Sequence, residues 1–286
     1  MKIAIIGNTG YIAGFLKDSL IKKNGIEIIL IGRNMAADEF LDLNCVENFS
    51  FDALEDVDYI LFAAAVSSPD ICAQEFEKCW KTNVDGTSRF INEAMKRRCR
   101  ILFFSSDAVY GDSKGMVYDE RSKPKAITPY GKMKKEVEDR FTGSSYFKSI
   151  RLPYVVSAND KFMKYCLGCM KNHKKAEIFH PFYRNCITAG EITEIICWLL
   201  EHWETFSPPV LNAAGRELIS RVRIADEINR IYKNQLQYDI IQSNHLFFAN
   251  RHQITQMESI YLKMYQILEE KSFTERIKKE LENVRL

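Results

Sequence analysis

The sequence predicts an α/β protein, with a doubly wound parallel sheet followed by a smaller, helix-rich carboxyl-terminal lobe. Two observations support this prediction. In residues 1–156, short apolar runs alternate with segments of helical spacing, as in parallel strands joined by covering helices. After about Val156 this alternation gives way to helical segments and aromatic residues. A chain of 286 residues can form one large domain or two unequal ones.

Six apolar runs in the first half are predicted strands, and several are nearly continuous because strands of a parallel sheet are covered on both faces. They are KIAIIG (2–7), IEIILIG (26–32), FLDLN (40–44), VDYILFAAA (57–65), RILFFSS (100–106) and FKSIRLPYVV (147–156). Helical spacing predicts the connecting helices. These are YIAGFLKDSLIKK (11–23), a helix from near Asp85 through GTSRFINEAMKRR (86–98), and YGKMKKEVEDRF (130–141).

Residues 157–286 are predicted to form mainly the substrate-binding lobe, with elements from about 185–215 returning to the nucleotide-binding domain of residues 1–156. A short strand is expected within 176–188, and VLNAAG, 210–215, is predicted to return a strand to the sheet. A serine N-cap candidate precedes the helix at 220–232. The predicted helices of the lobe are 161–172, 191–203, 220–232, 253–270 and 274–284.

Composition excludes several classes of function. The formal charge of +2 gives no reason to expect a nucleic acid or a membrane surface as partner. No apolar run is long enough to span a bilayer, and the first strand lacks a secretory cleavage pattern. Eight cysteines are predicted to be reduced thiols of a cytoplasmic protein. Cys166 and Cys169 form a C-x-x-C without a second ligand pair, so core cysteines are favoured over a metal site.

The first strand leads directly into a glycine loop, GNTGYIA. Gly7 would allow a tight turn, Gly10 would let the backbone approach a pyrophosphate, and Ala13 would let helix and strand pack closely. The following helix would present its free N–H groups to the phosphates. The spacing G-x-x-G-x-x-A predicts a Rossmann-type dinucleotide site, the alternative being a glycine-rich turn without a ligand.

The end of the second strand predicts which dinucleotide binds. An acidic residue there would bind the ribose 2′-hydroxyl, whereas an arginine would accommodate a 2′-phosphate. The strand ends in LIGRN, with Arg33 and no carboxylate until Asp38. This favours NADP(H) over NAD(H), unless Arg33 is only a solvated surface charge.

Tyr130 and Lys134 lie one helical turn apart and therefore share a helix face. We expect the ammonium to lower the pKa of the phenol and to hold the nicotinamide ribose. Ser106, at the end of the fifth strand, would bind the carbonyl oxygen of a substrate. Together these three groups can protonate or stabilise an alkoxide while a hydride is transferred.

With these motifs, the chain resembles the extended short-chain dehydrogenases/reductases of the NAD(P)-dependent epimerase/dehydratase family. The matching motifs are GNTGYIA, FAAAV, NVDGT, SSDAVYGD, PYGKMK and RLPYVV, with weaker matches up to about residue 225. The resemblance implies that Ser106, Tyr130, Lys134 and Asp107 form the catalytic set. It implies cofactor contacts from Gly7, Thr9, Gly10, Tyr11, Ile12, Arg33, Asp42, Leu43, Ala63, Ala64, Ala65, Asn83, Tyr130, Lys134, Leu152 and Pro153. Asn83 would start a helix that supports the site. Substrate contacts would come from Ser67, Ser106, Asp107 and Arg184, with Arg184 near the nucleotide diphosphate.

The residues after Ser106 discriminate between the reactions of such a family. A dehydratase carries an Asp-Glu pair there, but Asp107 is followed by Ala108, which disfavours elimination of water. The pattern is closest to nucleotide-sugar reductases of the dTDP-4-dehydrorhamnose reductase type. Reduction of a 4-keto nucleotide sugar by NADPH is therefore the first hypothesis, with a nucleotide-sugar epimerase second and a non-catalytic NADP-sensing module third.

Two further interpretations stay open at this level. The resemblance suggests a homodimer built from the helices starting near Val84 and Tyr130, but the charged segment KKEVEDR would also suit a solvated face of a monomer. His180, Phe182 and Tyr183 could stack on a nucleotide base, although core packing is the favoured role for aromatic side chains.

Overall fold

The protein is built around a seven-stranded, all-parallel sheet, which confirms the predicted fold class. The computed structural model describes residues 1–242, 246–282 and 284. The strands are β1 (Lys2–Ile6), β2 (Glu27–Gly32), β3 (Glu39–Phe40), β4 (Tyr59–Phe62), β5 (Arg100–Ser106), β6 (Phe147–Leu152) and β11 (Val210–Asn212). Their order is β11-β6-β5-β4-β1-β2-β3. As predicted, the strand within VLNAAG returns to this sheet and pairs with β6.

Helices cover both faces of the sheet, because its strands are apolar on both sides. They are α1 (Tyr11–Leu20), α4 (Thr87–Lys96), α5 (Pro129–Phe141) and α7 (Ala189–Glu201). Two shorter helices, α2 (Pro69–Gln74) and α3 (Phe76–Trp80), pack in a separate cluster against α5. One buried cluster joins the sheet to α1 and α7, and a second joins it to α4 and α5. Ala13 is buried in the first cluster, as its small size predicted.

The carboxyl-terminal part adds helices α6 (Lys161–Lys171), α8 (Arg221–Ile231), α9 (Ile260–Met264) and α10 (Phe273–Leu281). Short strands pair among them: β7 (Val155–Val156), β8 (Ala176–His180), β9 (Tyr183–Arg184), β10 (Ile187–Thr188), β12 (Ile219–Ser220), β13 (Tyr238–Gln242) and β14 (Ile254–Thr255). Ser220 caps α8 as predicted, by accepting a hydrogen bond from the Arg223 N–H. Cys166 and Cys169 are buried in the apolar core of this part.

Three element predictions in the nucleotide-binding half are wrong. The sixth strand, predicted over 147–156, ends at Leu152, and Val155–Val156 pairs instead with Ile187–Thr188 outside the main sheet. The third strand covers Glu39–Phe40 and not 40–44, because the Asp42 carboxylate accepts the Asn44 N–H and turns the chain. The helix expected from near Asp85 begins earlier: α3 continues through a π-helical turn, Lys81–Gly86, into α4. Residues 76–86 lack a clear apolar period, so tertiary contacts decide their helicity.

The helix predicted over 253–270 is also wrong, since only Ile260–Met264 is helical. Ile254 and Thr255 instead pair with Tyr183 and Arg184 as strand β14. The helical spacing of apolar residues over 253–270 therefore covers both a strand and a short helix. The helix predicted over 274–284 forms as α10 but ends at Leu281, and Asn283 lies outside the described residues. No helix within residues 1–242 and 246–282 is long and apolar enough to cross a membrane.

Candidate active site

The glycine loop turns sharply at the carboxyl end of β1. Gly7 has φ +92°, and a Cβ there would lie 2.8 Å from the Cα of Ala64, so a larger residue would push the loop away from the end of β4. Gly10 is the N-cap of α1 and provides no side-chain cap, and the first turn of the helix carries no acidic residue. The first N–H groups of α1 are therefore free of side-chain partners and suit an anion.

A cleft of about 160 Å³ opens above this loop. The residues that line it include nine of the predicted cofactor residues: Gly7, Thr9, Gly10, Arg33, Asp42, Leu43, Ala63, Ala64 and Ala65. The loop, the free helix terminus and the small alanine side chains fit a dinucleotide, since the backbone can approach a pyrophosphate closely. The contacts themselves stay a prediction.

The other predicted cofactor residues lie around this cleft. Tyr11 donates a hydrogen bond to Ser157 Oγ at 2.7 Å, and Ile12 packs against the core. Leu152 and Pro153 are buried at the end of β6.

Asn83 supports the loop that follows β4. Its Oδ1 accepts the Val66 N–H at 2.7 Å and its Nδ2 donates to the Val66 carbonyl at 2.9 Å, so one amide side chain holds both backbone groups. The expectation that Asn83 starts a helix is wrong, because it lies inside the π-helical turn. Such turns are frequent at functional sites, where the wider coil redirects a side chain.

Arg33 is exposed at the end of β2 and lines the cleft. Asp38 Oδ2 accepts the Leu30 N–H, so the nearest downstream carboxylate is bound to the backbone of β2. A pair the sequence did not suggest joins the two loops here: Asn8 and Asn34 exchange side-chain hydrogen bonds of 3.2 and 2.9 Å. The geometry leaves Arg33 as the charged side chain at this strand end.

Helix α5 begins against the turn that follows β5. Thr128 caps it by accepting the Gly131 N–H, and Pro129 occupies the first turn, which suits its fixed φ. A Cβ at Gly131 would collide with the Ala108 carbonyl oxygen, so glycine lets the two segments touch. This contact brings Tyr130 beside the Asp107 turn, and Asp107 acts on the phenol electrostatically. The predicted catalytic residues are therefore neighbours.

Lys134 is buried one turn along α5. Its Nζ donates to the Phe104 carbonyl at 2.7 Å and lies 4.4 Å from the centroid of the Phe103 ring. Burial lowers the pKa of Lys134 to about 7, and the negative charge of Glu138 is the larger effect that opposes this shift. The lysine is therefore near its titration midpoint at neutral pH, with ammonium protons left for a ligand.

The electrostatic prediction for Tyr130 is wrong. Burial raises the pKa of this phenol above its ordinary value, and nearby Cys72 and Asp107 raise it further. The Lys134 Nζ lies 5.8 Å from the ring centroid and does not compensate for the loss of water. The spacing of the two residues is visible in the sequence, but the desolvation is not, because it depends on the packing around them. The phenol is an acid that keeps its proton at neutral pH.

Ser106 and Asp107 form a connected pair. Ser106 Oγ donates to Asp107 Oδ1 at 3.0 Å and accepts the Ala108 N–H at 3.2 Å. The other carboxylate oxygen lies 3.1 Å from Arg184 Nε in a buried ion pair. Burial raises the pKa of Asp107, while Arg184, Ser106 and His252 act in the opposite direction. Ser106 and Arg184 thus flank the carboxylate, and its Oδ2 pairs with Arg184 by charge without a hydrogen bond among the described residues.

Arg184, predicted near the diphosphate, is tied to the protein. Its Nη1 donates to the carbonyls of Tyr183 and Gln253, and its Nη2 donates to that of His252. With Nε beside Asp107, this guanidinium joins the Asp107 turn to strand β9 and to the two residues before β14. The other predicted substrate residue, Ser67, is exposed just before α2.

Arg221 is a candidate that the sequence reasoning missed. It is the first residue of α8, its Nε is buried without a hydrogen-bond partner among the described residues, and its guanidinium lies over three aromatic rings. The ring centroids of Phe162, Phe182 and Phe247 are 4.9, 4.7 and 5.8 Å away. The available signal was an arginine directly after the serine N-cap of a helix, a position suited to an anion.

The aromatic residues at 180–183 are half-buried rather than deep in the core. Phe182 lies between two guanidinium groups, with Arg184 4.4 Å and Arg221 4.7 Å from its centroid. His180 and Tyr183 meet edge to face. Arg251 adds a third cation nearby and pairs with Asp70, which follows the exposed Ser67 loop.

A dinucleotide cleft beside a serine, a tyrosine and a lysine is the site of an NAD(P)-dependent enzyme. The model of the NAD dependent epimerase/dehydratase family matches residues 3–214. The chain belongs to that family, which confirms the resemblance seen in its motifs.

Solved structures of two kinds of enzyme share the fold. The dTDP-4-dehydrorhamnose reductase of Clostridium acetobutylicum matches with 17% identity and a TM-score of 0.82 over 99% of both chains. That of Bacillus anthracis, in complex with NADP, matches with 16% identity and a TM-score of 0.83 over 99% of both chains. UDP-glucuronic acid 4-epimerase of Bacillus cereus, in complex with UDP-glucuronic acid and NAD, matches with 18% identity and a TM-score of 0.80, covering 99% of this chain and 98% of the other. The search of curated proteins found no match.

Proposed function

We propose that the protein reduces a 4-keto nucleotide sugar with NADPH. The observation that carries this proposal is the Tyr130 phenol, desolvated and protonated beside the Asp107 turn and one helical turn from Lys134. Ketone reduction needs a proton donor next to the carbonyl oxygen, whereas oxidation of an alcohol needs a base. A phenol with a raised pKa suits donation.

The residues divide the chemistry between them. The bound cofactor supplies the hydride. Tyr130 gives its phenolic proton to the substrate oxygen as that oxygen gains charge, and Ser106 would turn its single hydroxyl proton from Asp107 to that oxygen to orient the carbonyl. Lys134 would hold the ribose hydroxyls with the ammonium protons that Phe104 does not use. Asp107 stays in its ion pair with Arg184, and Ala108 follows it in place of the glutamate that a dehydratase would use to remove a proton.

The substrate would lie between the two halves, with its nucleotide against residues of 157–286. Arg221 is better suited to the diphosphate than Arg184, because its Nε lacks a partner and it begins helix α8. The similar reductases carry dTDP-sugar names and the similar epimerase binds UDP-glucuronic acid, which supports a nucleotide-sugar substrate.

Three supporting proposals follow. Arg33 at the end of β2 favours NADPH over NADH, because the Asp38 carboxylate is occupied by the Leu30 N–H. The free cysteines suit a reducing compartment, so we propose a cytoplasmic location. A homodimer through the helices that contain Val84 and Tyr130 stays a prediction.

An epimerase is the second candidate, because the UDP-glucuronic acid 4-epimerase matches the fold nearly as well as the reductases do. The experiment is a panel of dTDP-, UDP-, GDP- and CDP-linked 4-keto sugars with NADPH or NADH, following loss of reduced cofactor and formation of the sugar alcohol. We expect one NADPH consumed for each alcohol formed. Conversion of a nucleotide sugar into its epimer without net cofactor consumption would instead identify an epimerase.

A further inference from the structure

Three ionisable side chains are enclosed behind the candidate reaction site. Lys134, Glu138 and Arg151 are only 4%, 2% and 4% exposed. Lys134 and Glu138 lie one turn apart on α5, and Arg151 lies on β6 beneath that helix. Charged groups are rarely buried this completely without a partner.

Arg151 fixes the Glu138 carboxylate. Its Nε lies 3.0 Å from Oε1 and its Nη2 lies 2.5 Å from Oε2, while Nη1 donates to the Tyr110 hydroxyl at 2.7 Å. Tyr110 in turn donates to Asn212 Oδ1 on β11 at 2.9 Å. The carboxylate therefore has a defined position one turn behind Lys134.

The three side chains contain two cations and one anion. An arginine does not lose its proton in a protein, so any change in the local charge falls on Lys134. The other ionisable groups that face this lysine are uncharged at neutral pH. Burial raises the pKa of the Cys72 thiol to about 12, and burial also raises the pKa of the Tyr130 phenol. Glu138 supplies the negative charge that opposes the desolvation of the ammonium.

We propose that Glu138, held in place by Arg151, is a positioning residue that keeps Lys134 in its ammonium form for the cofactor ribose. The inference rests on the proposed function for the identity of the cofactor. In this arrangement the pair acts on the reaction only through Lys134, because Glu138 and Arg151 are enclosed in the interior and bound to each other.

Glu138→Gln tests the proposal directly, because it removes the charge and nearly preserves the shape. NADPH affinity measured by fluorescence against pH should fall as Lys134 loses its proton, with a midpoint near pH 7 in the natural protein. In Glu138→Gln this midpoint should move at least about one unit lower, which weakens binding about fivefold at pH 7 and about tenfold from about pH 8 upward. Glu138→Asp retains the charge, so its midpoint for NADPH binding should lie close to that of the natural protein.

Glu136→Gln is the matched control, since Glu136 lies on the same helix but pairs with Arg140 at the surface. It should leave the midpoint unchanged. Titration of the 2′-phosphate of NADPH is common to all variants and cancels in the comparison.

Arg151→Gln should shift the midpoint in the opposite direction. It also tests the proposal by itself if Glu138→Gln does not fold. It removes a cation and leaves the Glu138 charge, so the midpoint should move to higher pH. Midpoints that shift in opposite directions support the proposal, and an unmoved midpoint in either folded variant overturns it. Because binding is read without turnover, failure of this inference is distinguishable from failure of the reductase proposal, which the keto-sugar panel tests.

Discussion

The surroundings of Tyr130 and of Arg221, the two ends of the candidate site, have different electrostatics. Around Tyr130 burial favours uncharged groups: the phenol keeps its proton, and the pKa of Lys134 falls to about 7. Around Arg221 positive charges gather instead, and the nearby Arg184 and Arg251 lower the pKa of its guanidinium in addition to burial. The first environment suits proton transfer, and the second suits an anionic ligand that would relieve the repulsion. The two environments therefore suit different steps of the proposed reaction.

The largest effect is expected at the proton-transfer end. Tyr130→Phe removes the proton donor and should lower kcat for ketone reduction about 10³-fold, within the range for general acids. NADPH binding, measured by fluorescence, should persist.

Tyr118→Phe serves as the control, because this hydroxyl donates to the Asp112 carbonyl away from the cleft. If Tyr130→Phe retained full kcat, the assignment of the donor would be wrong.

The next effect tests the anion-binding end. Arg221→Gln should raise KM for the nucleotide sugar about 30-fold with little change in kcat, because a charged hydrogen bond contributes about 2 kcal/mol. Arg230→Gln on the same helix is exposed and should leave KM unchanged. A loss confined to kcat would place Arg221 at the reacting centre and remove the contrast between the two ends.

A smaller effect is expected at Arg33. Arg33→Ala should lower the preference for NADPH over NADH about tenfold, because the substitution removes one contact to the 2′-phosphate of NADPH at an exposed position. The ratio of kcat/KM for the two cofactors measures this preference, and the value with NADH is the internal control. An unchanged ratio would mean that Arg33 is only a solvated charge.

The smallest effect concerns stability. The folded state lowers the pKa of Lys134 to about 7 from 10.5, so the unfolded chain binds more protons between these values. Stability should therefore rise with pH across this window, by about 1 kcal/mol between pH 7 and 8 from this group.

Lys134→Met should be more stable than the natural protein at pH 7 and should lose this contribution to the slope. Urea unfolding at each pH measures it. An identical slope in both proteins would contradict a desolvated lysine.

Much of the fold could be predicted because local patterns and tertiary structure agree in the sheet. The strands are continuous apolar runs, and the glycine loop stands between the first strand and the first helix, the position of a dinucleotide site. Ser106, Tyr130 and Lys134 could be selected because their spacing fits one sheet edge and one helix face. The long helix expected at 253–270 failed because Ile254 and Thr255 pair with β9, a contact between distant segments.

The electrostatics could not be predicted from the same residues. The pKa of Tyr130 depends on how completely Cys72, Asp107 and their neighbours exclude water, and no spacing rule contains that information. Arg221 was missed for a similar reason. The three aromatic rings around it, and the absence of a hydrogen-bond partner for its Nε among the described residues, follow from the fold and not from the local sequence. Sequence spacing locates reactive groups, whereas packing sets their protonation.

The central claim is that a protonated Tyr130 serves a net reduction. The most direct measurement uses NADPH carrying deuterium at the transferable position, with the 4-keto nucleotide sugar that turns over in the panel, and mass spectrometry of the products. The proposal predicts one deuterium on the new carbinol carbon and one oxidised cofactor for each sugar alcohol. A sugar product without deuterium, formed while the NADPH remains reduced, would contradict it.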